Sequence, residues 1–356
     1  MVSSLDSEFG HEKLLCVNDV ATGLLAVIAF HSTRLGPAVG GMRYREYAAL
    51  GDAVVDALRL SRAMTLKNAA AGLDWGGGKL CVVDDGNAAK RQDRLLRLAD
   101  LLNELDGTYI AGKDVGATMT DMDVLASRSR WVVGIPEARG GLGDPSPATA
   151  QTVIGSMESA ASVLWGADSL SGTSAAIIGT GGVGASLARM LAERDVSLLL
   201  ADTDDPRVSS VARQVGGRVV SVRDALTADV DFLAPCATGE MISSDDVAAL
   251  NCRVIAGGAN NPLVDDSVAT LLHADGILYV PDFLANAGGV IQNAVEFRRQ
   301  GWPVLRQLLD EANGRTLSVL KRASDAGKPP LELARSEALA SVAAGASPVS
   351  RERASA

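Results

Sequence analysis

The stretch Ala175-Ala176-Ile177-Ile178-Gly179-Thr180-Gly181-Gly182-Val183-Gly184 decides the fold. Its four leading apolar residues suit a buried strand. The glycines behind them match G-x-G-x-x-G, and Ala185 to Arg194 is patterned as a helix. Glycine-rich turns are common, so the motif alone is a weak signal; here a strand and a helix flank it. In that setting Gly179 permits a tight turn, Gly181 lets a pyrophosphate approach the backbone, and Gly184 allows close helix–strand packing. The helix N-terminus then offers unpaired N–H groups and a partial positive charge to the phosphates. A second strand ends at Asp202, about twenty residues further on, where an acid accepts hydrogen bonds from the adenosine ribose hydroxyls. That acid, with Asp204 and Asp205 beside it, repels the extra phosphate of NADP and favours NAD. Arg207 is near enough in sequence to partner a phosphate, which leaves NADP open. The plainer alternative is that Asp202 caps the segment after it.

Working outward, the strand–helix alternation continues. Strands are expected at Ala175–Ile178, Val196–Ala201, Arg218–Val220, Val230–Ala234, Val254–Ala256 and Ile277–Val280. Short, near-continuous apolar strands between helices point to a parallel sheet covered on both faces, a Rossmann-type α/β domain. On the N-terminal side, Leu24–Phe30 and Leu80–Val83 read as strands, and Asp52–Ala71 and Arg94–Leu105 as helices. Gly140 to Pro147 breaks both periodicities and is the expected hinge, with a helix over Thr149–Trp165 after it. Beyond Asn286 the chain reads as helical, with Pro303 in a first turn, and the tail from Gly345 to Ala356 reads as disordered. The expected architecture is thus α/β in two domains. Residues 1–147 form an N-terminal α/β substrate and oligomerisation domain, and 148–325 the dinucleotide domain. Residues 326–356 carry a C-terminal helix that packs back near an interdomain cleft.

The 356 residues are 47% hydrophobic, 21% charged and only 4% aromatic, so the apolar layers are built mainly from Ala, Val, Leu and Ile. A net charge of −10 argues against nucleic acid or an anionic membrane as partner. No apolar run reaches the length of a membrane span, and Met1 to Gly10 lacks the basic start and apolar core of a signal peptide. Cys16, Cys81, Cys236 and Cys252 form no CxxC pair and read as buried free thiols of a cytoplasmic protein. His11, His31 and His273 are far apart in sequence, which argues against a His-based metal site or a Cys–His nucleophile; no metal is expected.

Two lysines stand in unusual surroundings. Lys67 lies on the mostly apolar helix around Met64-Thr65-Leu66-Lys67-Asn68, and Lys79 follows Gly76-Gly77-Gly78. A lysine beside three glycines can line a cleft that the backbone must approach closely, and desolvation or a nearby cation lets a lysine act as a base. Asp114 is a candidate partner for proton transfer. The plainer alternatives are a solvated helix face for Lys67 and a simple turn for Gly-Gly-Gly-Lys.

These segments resemble those of the glutamate/leucine/phenylalanine/valine dehydrogenases, and the likeness covers nearly the whole chain. The matching segments are Leu35-Gly36-Pro37-Ala38-Val39-Gly40-Gly41-Met42-Arg43, Met64–Asn68, Gly76–Lys79, Lys113-Asp114-Val115-Gly116 and Asp121-Met122-Asp123. Ala234-Pro235-Cys236-Ala237, Gly258-Ala259-Asn260-Asn261 and Pro281 to Val290 continue the match in the family's order. The resemblance implies an NAD-dependent enzyme that interconverts an L-amino acid with its 2-oxo acid and ammonia. It implies that Lys67 binds the substrate carboxylate, that Gly40 and Gly41 let backbone groups approach the substrate, and that Lys79 activates the water attacking the imine carbon. Asp114 would exchange protons with the amino group. Val39, Met64, Val290 and Asn293 would complete the substrate site. Gly179, Gly181, Gly182, Val183 and Gly184, with Asp202, Thr203, Cys236 and Ala237, would hold the cofactor. Asn260 and Asn286 would contact the nicotinamide end or the substrate. The cleft would close to expel water before hydride transfer, and the chain would form a homo-oligomer, a dimer or an octamer, through its N-terminal domain.

Two positions bear on the substrate. Glutamate-specific members carry a lysine where this chain has Val39, so a glutamate side chain would be left unpaired and an apolar side chain is expected. Asn293 stands where leucine and valine members are aliphatic: it meets a polar group on the substrate, or it bonds to nearby backbone or water in an apolar pocket. Arg139 has no functional reading beyond a surface place near the hinge. Two other functions stay open. One is an enzyme of the same fold that does not use ammonia, against which Lys67, Lys79 and Asp114 together argue. The other is a non-catalytic NAD-binding regulator, which the loss of either lysine would have favoured.

Overall fold

A computed structural model describes residues 10–345. The expectations for Met1 to Phe9 and for Ala346 to Ala356 lie outside the described residues. The chain divides into two compact units, one of residues 10–144, 292–301 and 338–345, the other of 145–291 and 302–337.

The first unit is built on a five-stranded mixed sheet. Its strands are β1 (Lys13–Asp19), β2 (Leu24–Ser32), β3 (Ala38–Arg45), β4 (Gly76–Val83) and β5 (Tyr109–Lys113), in the order β1-β2-β4-β3-β5. The pairs β1–β2 and β2–β4 are antiparallel, and β3 runs parallel to both β4 and β5. Helix α1 (Leu50–Ala70) is the crossover from β3 to β4, while α2 (Arg91–Glu104) and α3 (Met119–Ala126) cover the opposite face. Alternation along β2 shows the layering. Leu24, Ala26, Ile28 and Phe30 pack with Leu95, Leu98 and Leu102 of α2, while Val27 and Ala29 pack with Ala53, Ala57 and Leu58 of α1.

The same alternation sorts the functional candidates. Met42, Leu80 and Ala111 belong to the α2 layer. Their strand neighbours Gly41, Arg43, Lys79, Gly112 and, one residue past β5, Asp114 therefore turn toward the α1 face. The Gly-Gly-Gly run is not a turn: β4 starts at Gly76, four residues before the expected Leu80, and the three glycines are buried in the strand. They are bare because their neighbours sit at backbone distance. A Cβ on Gly77 would meet Thr65 Oγ1 at 2.0 Å and Ser61 O at 2.5 Å, both on α1.

The second unit opens with α4 (Ser146–Trp165) and carries six parallel strands. In chain order they are β6 (Ser174–Ile178), β7 (Ser197–Ala201), β8 (Arg218–Val219), β9 (Phe232–Pro235), β10 (Val254–Ile255) and β11 (Leu278–Tyr279). Their spatial order, β11-β10-β9-β6-β7-β8, reverses direction between β6 and β9, where open α/β sheets bind ligands. Helix α5 (Gly182–Ala192) follows β6, so the last glycines of the motif lie in its first turn rather than before it. Helix α6 (Asp205–Val215) follows β7. The helices α7 (Val222–Leu226), α8 (Ser244–Val247) and α9 (Ser267–Ala274) connect the later strands, and α10 (Asp282–Ala285) follows the last of them. The described residues end in α11 (Gly288–Phe297), α12 (Trp302–Ala326), with Pro303 in its first turn, and α13 (Pro330–Ala344).

One side-chain expectation needs correction. Cys16 is exposed rather than buried, because β1 is the outer strand of its sheet and turns it to solvent; Cys236 is half-buried. His11 and His31, distant in sequence, meet edge-to-face with ring centroids 4.9 Å apart. No group of three or more metal-ligating side chains occurs among the described residues. No described helix is long and apolar enough to cross a membrane.

The seating of α1 on β4 is testable. Gly77→Ala forces a methyl group into the Ser61–Thr65 turn and is expected to destabilise the protein by about 1–3 kcal/mol or more in chemical unfolding. Unaltered stability would mean that helix and strand are not in backbone contact.

Candidate active site

The α1 face of the first sheet gathers the polar candidates. Lys79 is 5% exposed, and its Nζ donates to Asp114 Oδ2. Gly41 lies under this pair, since a Cβ there would come within 2.6 Å of Asp114 Cβ. Gly40 is packed against β4 so tightly that a Cβ would fall 1.7 Å from the Gly78 carbonyl oxygen, and its own carbonyl accepts the Tyr109 hydroxyl at 3.0 Å. Val39, 2% exposed, completes the strand next to them. Lys67 is 8% exposed on the last turns of α1, so it is not a solvated face; Met64, one turn earlier, is half-buried.

A residue that sequence reasoning overlooked joins the cluster. Arg43 Nε lies 3.5 Å from Asp114 Oδ2, and Arg43 Nη1 donates to Asp56 Oδ1 and Oδ2 at 3.2 and 3.0 Å. Tyr47 donates its hydroxyl to Asp56 Oδ2 at 2.9 Å. Asp114 is thereby held between two cations. Burial raises its pKa, but the charges of Lys79 and Arg43, the Lys79 hydrogen bond and the Val115 amide outweigh burial and hold it down to about 2. The carboxylate is therefore ionised at neutral pH. The available signal was Arg43 at two-residue spacing from Gly41, which places both on one strand face once β3 is recognised.

Asn293, on α11, packs beside this floor. A Cβ on Gly112 would lie 3.5 Å from its Nδ2, and one on Gly134 would lie 3.6 Å from its Oδ1. Asn293 Oδ1 is buried and has no hydrogen-bond partner in the protein. The helix is held there by Glu296, whose carboxylate accepts from the amides of Gly134, Ile135 and Leu142 at 2.6, 3.2 and 2.7 Å. Gln292 Nε2 donates to the carbonyls of Leu142 and Gly143, both at 3.2 Å. Arg139 is exposed and pairs with Asp123, a surface ion pair with no part in the cluster.

The dinucleotide candidates belong to the second unit. Gly179 has φ +101°, and a Cβ on it would meet the Ala237 amide nitrogen and the Cys236 carbonyl carbon, each at 2.7 Å. The turns after β6 and β9 thus touch at the switch point. A Cβ on Gly184 would lie 1.8 Å from the Gly179 carbonyl oxygen, whereas one on exposed Gly181 would meet nothing within 4 Å. Gly181 is the N-cap of α5 and supplies no side-chain cap, so the amides of Gly182 and Val183 in the first turn are open to an anion. This cradle fits a pyrophosphate.

Asp202, at the end of β7, takes more donors than expected. Its Oδ2 accepts from Thr180 N at 2.6 Å and Thr180 Oγ1 at 2.9 Å, and its Oδ1 accepts from Asp204 N at 3.1 Å and Arg207 Nη2 at 2.8 Å. Burial raises its pKa, but the hydrogen bonds from Arg207, Thr180 and Asp204 prevail and hold it well below the carboxylate range. Thr203 is exposed beside it. Asn286, 4% exposed, donates through Nδ2 to Asn260 Oδ1 at 2.9 Å and to the carbonyls of Gly258 and Ala259, both at 3.2 Å. Asn286 therefore orients Asn260, which is exposed, while Val290 is half-buried at the start of α11.

Comparison with known proteins identifies relatives over most of the chain. Residues 11–132 match the family model for the Glu/Leu/Phe/Val dehydrogenase dimerisation domain, and residues 198–302 match that for glutamate/leucine/phenylalanine/valine dehydrogenase. A leucine dehydrogenase of Bacillus subtilis is 41% identical over 81% of this chain and 79% of its own length. A valine dehydrogenase of Streptomyces virginiae is 40% identical over 90% of each chain. The crystal structure of an L-tryptophan dehydrogenase from Nostoc punctiforme superposes with a TM-score of 0.81 at 32% identity, covering 96% of this chain and 98% of that one. On these grounds the chain belongs to the glutamate/leucine/phenylalanine/valine dehydrogenase family.

Proposed function

We propose that this enzyme, an oxidoreductase acting on a CH–NH2 group, catalyses the NAD-dependent reversible oxidative deamination of an L-amino acid with an apolar side chain, branched aliphatic or aromatic. The amino acid, water and oxidised dinucleotide give the 2-oxo acid, ammonium, reduced dinucleotide and a proton. The observation that carries this reading is the buried Lys79–Asp114 pair on the sheet face toward α1, the helix that carries buried Lys67.

Each side chain has a task suited to its chemistry. Lys67 binds the substrate carboxylate as a point charge. Asp114, ionised, accepts a proton from the substrate's amino group and returns one to the departing ammonia. Lys79 takes a proton from the water that attacks the imine carbon, and as an ammonium it stabilises negative charge growing on oxygen. Gly41 keeps the strand backbone open beside that water, while Gly40 lets β3 lie close against β4. Gly179 to Gly184 and Asp202 hold the dinucleotide, with Thr203, Cys236 and Ala237 beside them; when bound, its nicotinamide exchanges a hydride with the substrate α-carbon. Asn260, oriented by Asn286, contacts the nicotinamide end or the substrate. Buried Val39 offers no charge to a side-chain carboxylate, and the names of the leucine, valine and tryptophan relatives support an apolar side chain. Val39 and Met64 in the first unit, and Val290 in the second, are apolar residues suited to contact such a side chain. The matched dimerisation domain supports a homo-oligomer.

One observation favours a second reading of the substrate. The unpartnered, buried Oδ1 of Asn293 is an acceptor without a donor, and such atoms are rare in folded proteins. A substrate side chain bearing an N–H or O–H would satisfy it.

The test combines purified protein, NADH, ammonium and a panel of branched, aromatic, hydroxylated, indolic and dicarboxylic 2-oxo acids. Ammonium-dependent NADH oxidation is expected, strongest with apolar members and weakest with dicarboxylic ones. Lys79→Ala should lower kcat by about 100-fold or more. If Asn293 selects a donor, Asn293→Val lowers kcat/KM for indolic or hydroxylated acids relative to aliphatic ones; an unchanged ranking removes that second reading. NADH oxidation without ammonium would reject the proposed reaction.

The cofactor cradle is tested apart from turnover. Gly181→Ala should leave the melting temperature unchanged and weaken NADH binding by about tenfold, roughly 1.4 kcal/mol. Gly184→Ala should instead destabilise the fold by about 1–3 kcal/mol. Equal NADH affinity in Gly181→Ala and wild type would place the pyrophosphate elsewhere.

A further inference from the structure

Arg43 is buried in the cluster but has no role in the reaction as described so far. Its side chain is 16% exposed, and it is pinned from one side by both oxygens of Asp56. Asp56 is in turn fixed by the Tyr47 hydroxyl at 2.9 Å and by Arg59 at 3.7 Å. The opposite side of the guanidinium, Nε, is buried, makes no hydrogen bond, and faces Asp114 Oδ2 at 3.5 Å. The unbonded nitrogen of an otherwise anchored cation thus lies at ion-pair distance from the carboxylate that Lys79 also holds.

The chemistry supplies a reason for two cations. Lys79 can take a proton from water only after releasing its own to bulk solvent, and at that moment it no longer balances Asp114. A carboxylate buried without a counter-charge takes up a proton. A guanidinium does not release its proton in this pH range, so its charge persists through the cycle. We propose that Arg43 is a positioning residue for the reaction, holding the Asp114 carboxylate in place and ionised while Lys79 changes its protonation. This rests on the reading of Asp114 as the proton-exchanging group.

Lys67 of α1 brings a further cation to this face, but in the proposed reaction the substrate carboxylate takes up its charge, and the remaining groups do not supply the same charge. Asp56 and Arg59 lie on α1 beyond Arg43. The Tyr47 phenol and the Cys81 thiol are both pushed up chiefly by burial, the thiol to about 11, and stay neutral in the working range. Lys113, next in sequence to Asp114, is exposed.

The experiment is the pH profile of kcat/KM for the preferred amino acid with NAD, in the full-length wild type and in Arg43→Gln, Arg43→Lys and Asp114→Asn. Arg43→Gln should move the acid limb upward by about one pH unit or more. Arg43→Lys, which keeps the charge but not the two-armed grip on Asp56, should move it less than half as far. Should Arg43→Gln not fold, Asp56→Asn frees the guanidinium without removing it, and a smaller upward shift is expected. An acid limb unmoved in whichever of these variants folds overturns the proposal and leaves Arg43 as a pin between β3 and α1. So does an Arg43→Lys profile displaced as far as that of Arg43→Gln. Asp114→Asn separates the two levels. Loss of the limb there, with no shift in Arg43→Gln, rejects the role of Arg43 alone; full activity with the limb intact rejects the reading of Asp114 and the role of Arg43 with it.

Discussion

The seating of α1 on the bare backbone of β4 is the contact from which the first unit's chemistry follows. Helices ordinarily pack on sheets through side chains, which keeps the backbones well apart. Here Gly77 has no side chain, and the Ser61–Thr65 turn takes up the space. That closeness brings the last turns of α1, with Met64 and Lys67, down onto the sheet face that carries Lys79 and Asp114. The same bareness recurs on β3, where Gly40 abuts the Gly78 carbonyl and Gly41 leaves room for Asp114. The site is specified by absent side chains as much as by charged ones.

Such a site concentrates charge where water is scarce. Lys67, Lys79, Arg43, Asp56 and Asp114 are all largely buried, and each buried charge carries a desolvation cost that only close partners offset. The partners are arranged in a chain, from Lys79 to Asp114 to Arg43 to Asp56 to Tyr47. A chain of this kind lets one member change its protonation while the rest hold their geometry. Asp202 in the second unit shows the contrasting case. Its four close donors come from Thr180, Asp204 and Arg207, and Arg207 is exposed, so this carboxylate is held by neutral donors and a surface cation rather than by a buried chain of charges.

Much of this was legible in the sequence. The motif Gly179 to Gly184 between an apolar strand and a helix correctly implied a parallel sheet, because each glycine answers a distinct steric demand that the structure displays. The lysines were legible as anomalies, charged residues in apolar or glycine-rich company. What escaped was the strand character of Lys13–Asp19, Ala38–Arg45 and Tyr109–Lys113. Gly40-Gly41 interrupts the alternation of the second, and the third has only five residues and no alternation. Without those strands, the common face shared by Gly41, Arg43, Gly112 and Asp114 could not be drawn, so Arg43 went unnoticed. Asn293 was noticed, but only coordinates could show that its Oδ1 lacks a partner. The exposure of Cys16 depended on which strand lies at the sheet edge, and that order is set by long-range pairing rather than local pattern.

The central claim is that the Lys79–Asp114 pair makes and breaks a carbon–nitrogen bond. Its most direct test is to supply 15N-ammonium, NADH and the preferred 2-oxo acid, and to follow the label by mass spectrometry in wild type and Lys79→Ala. The account predicts an L-amino acid carrying one 15N at its α-position in wild type, and loss of that product in a variant that still binds NADH. NADH consumed with no label in the product, or labelled product formed undiminished by Lys79→Ala, would contradict it.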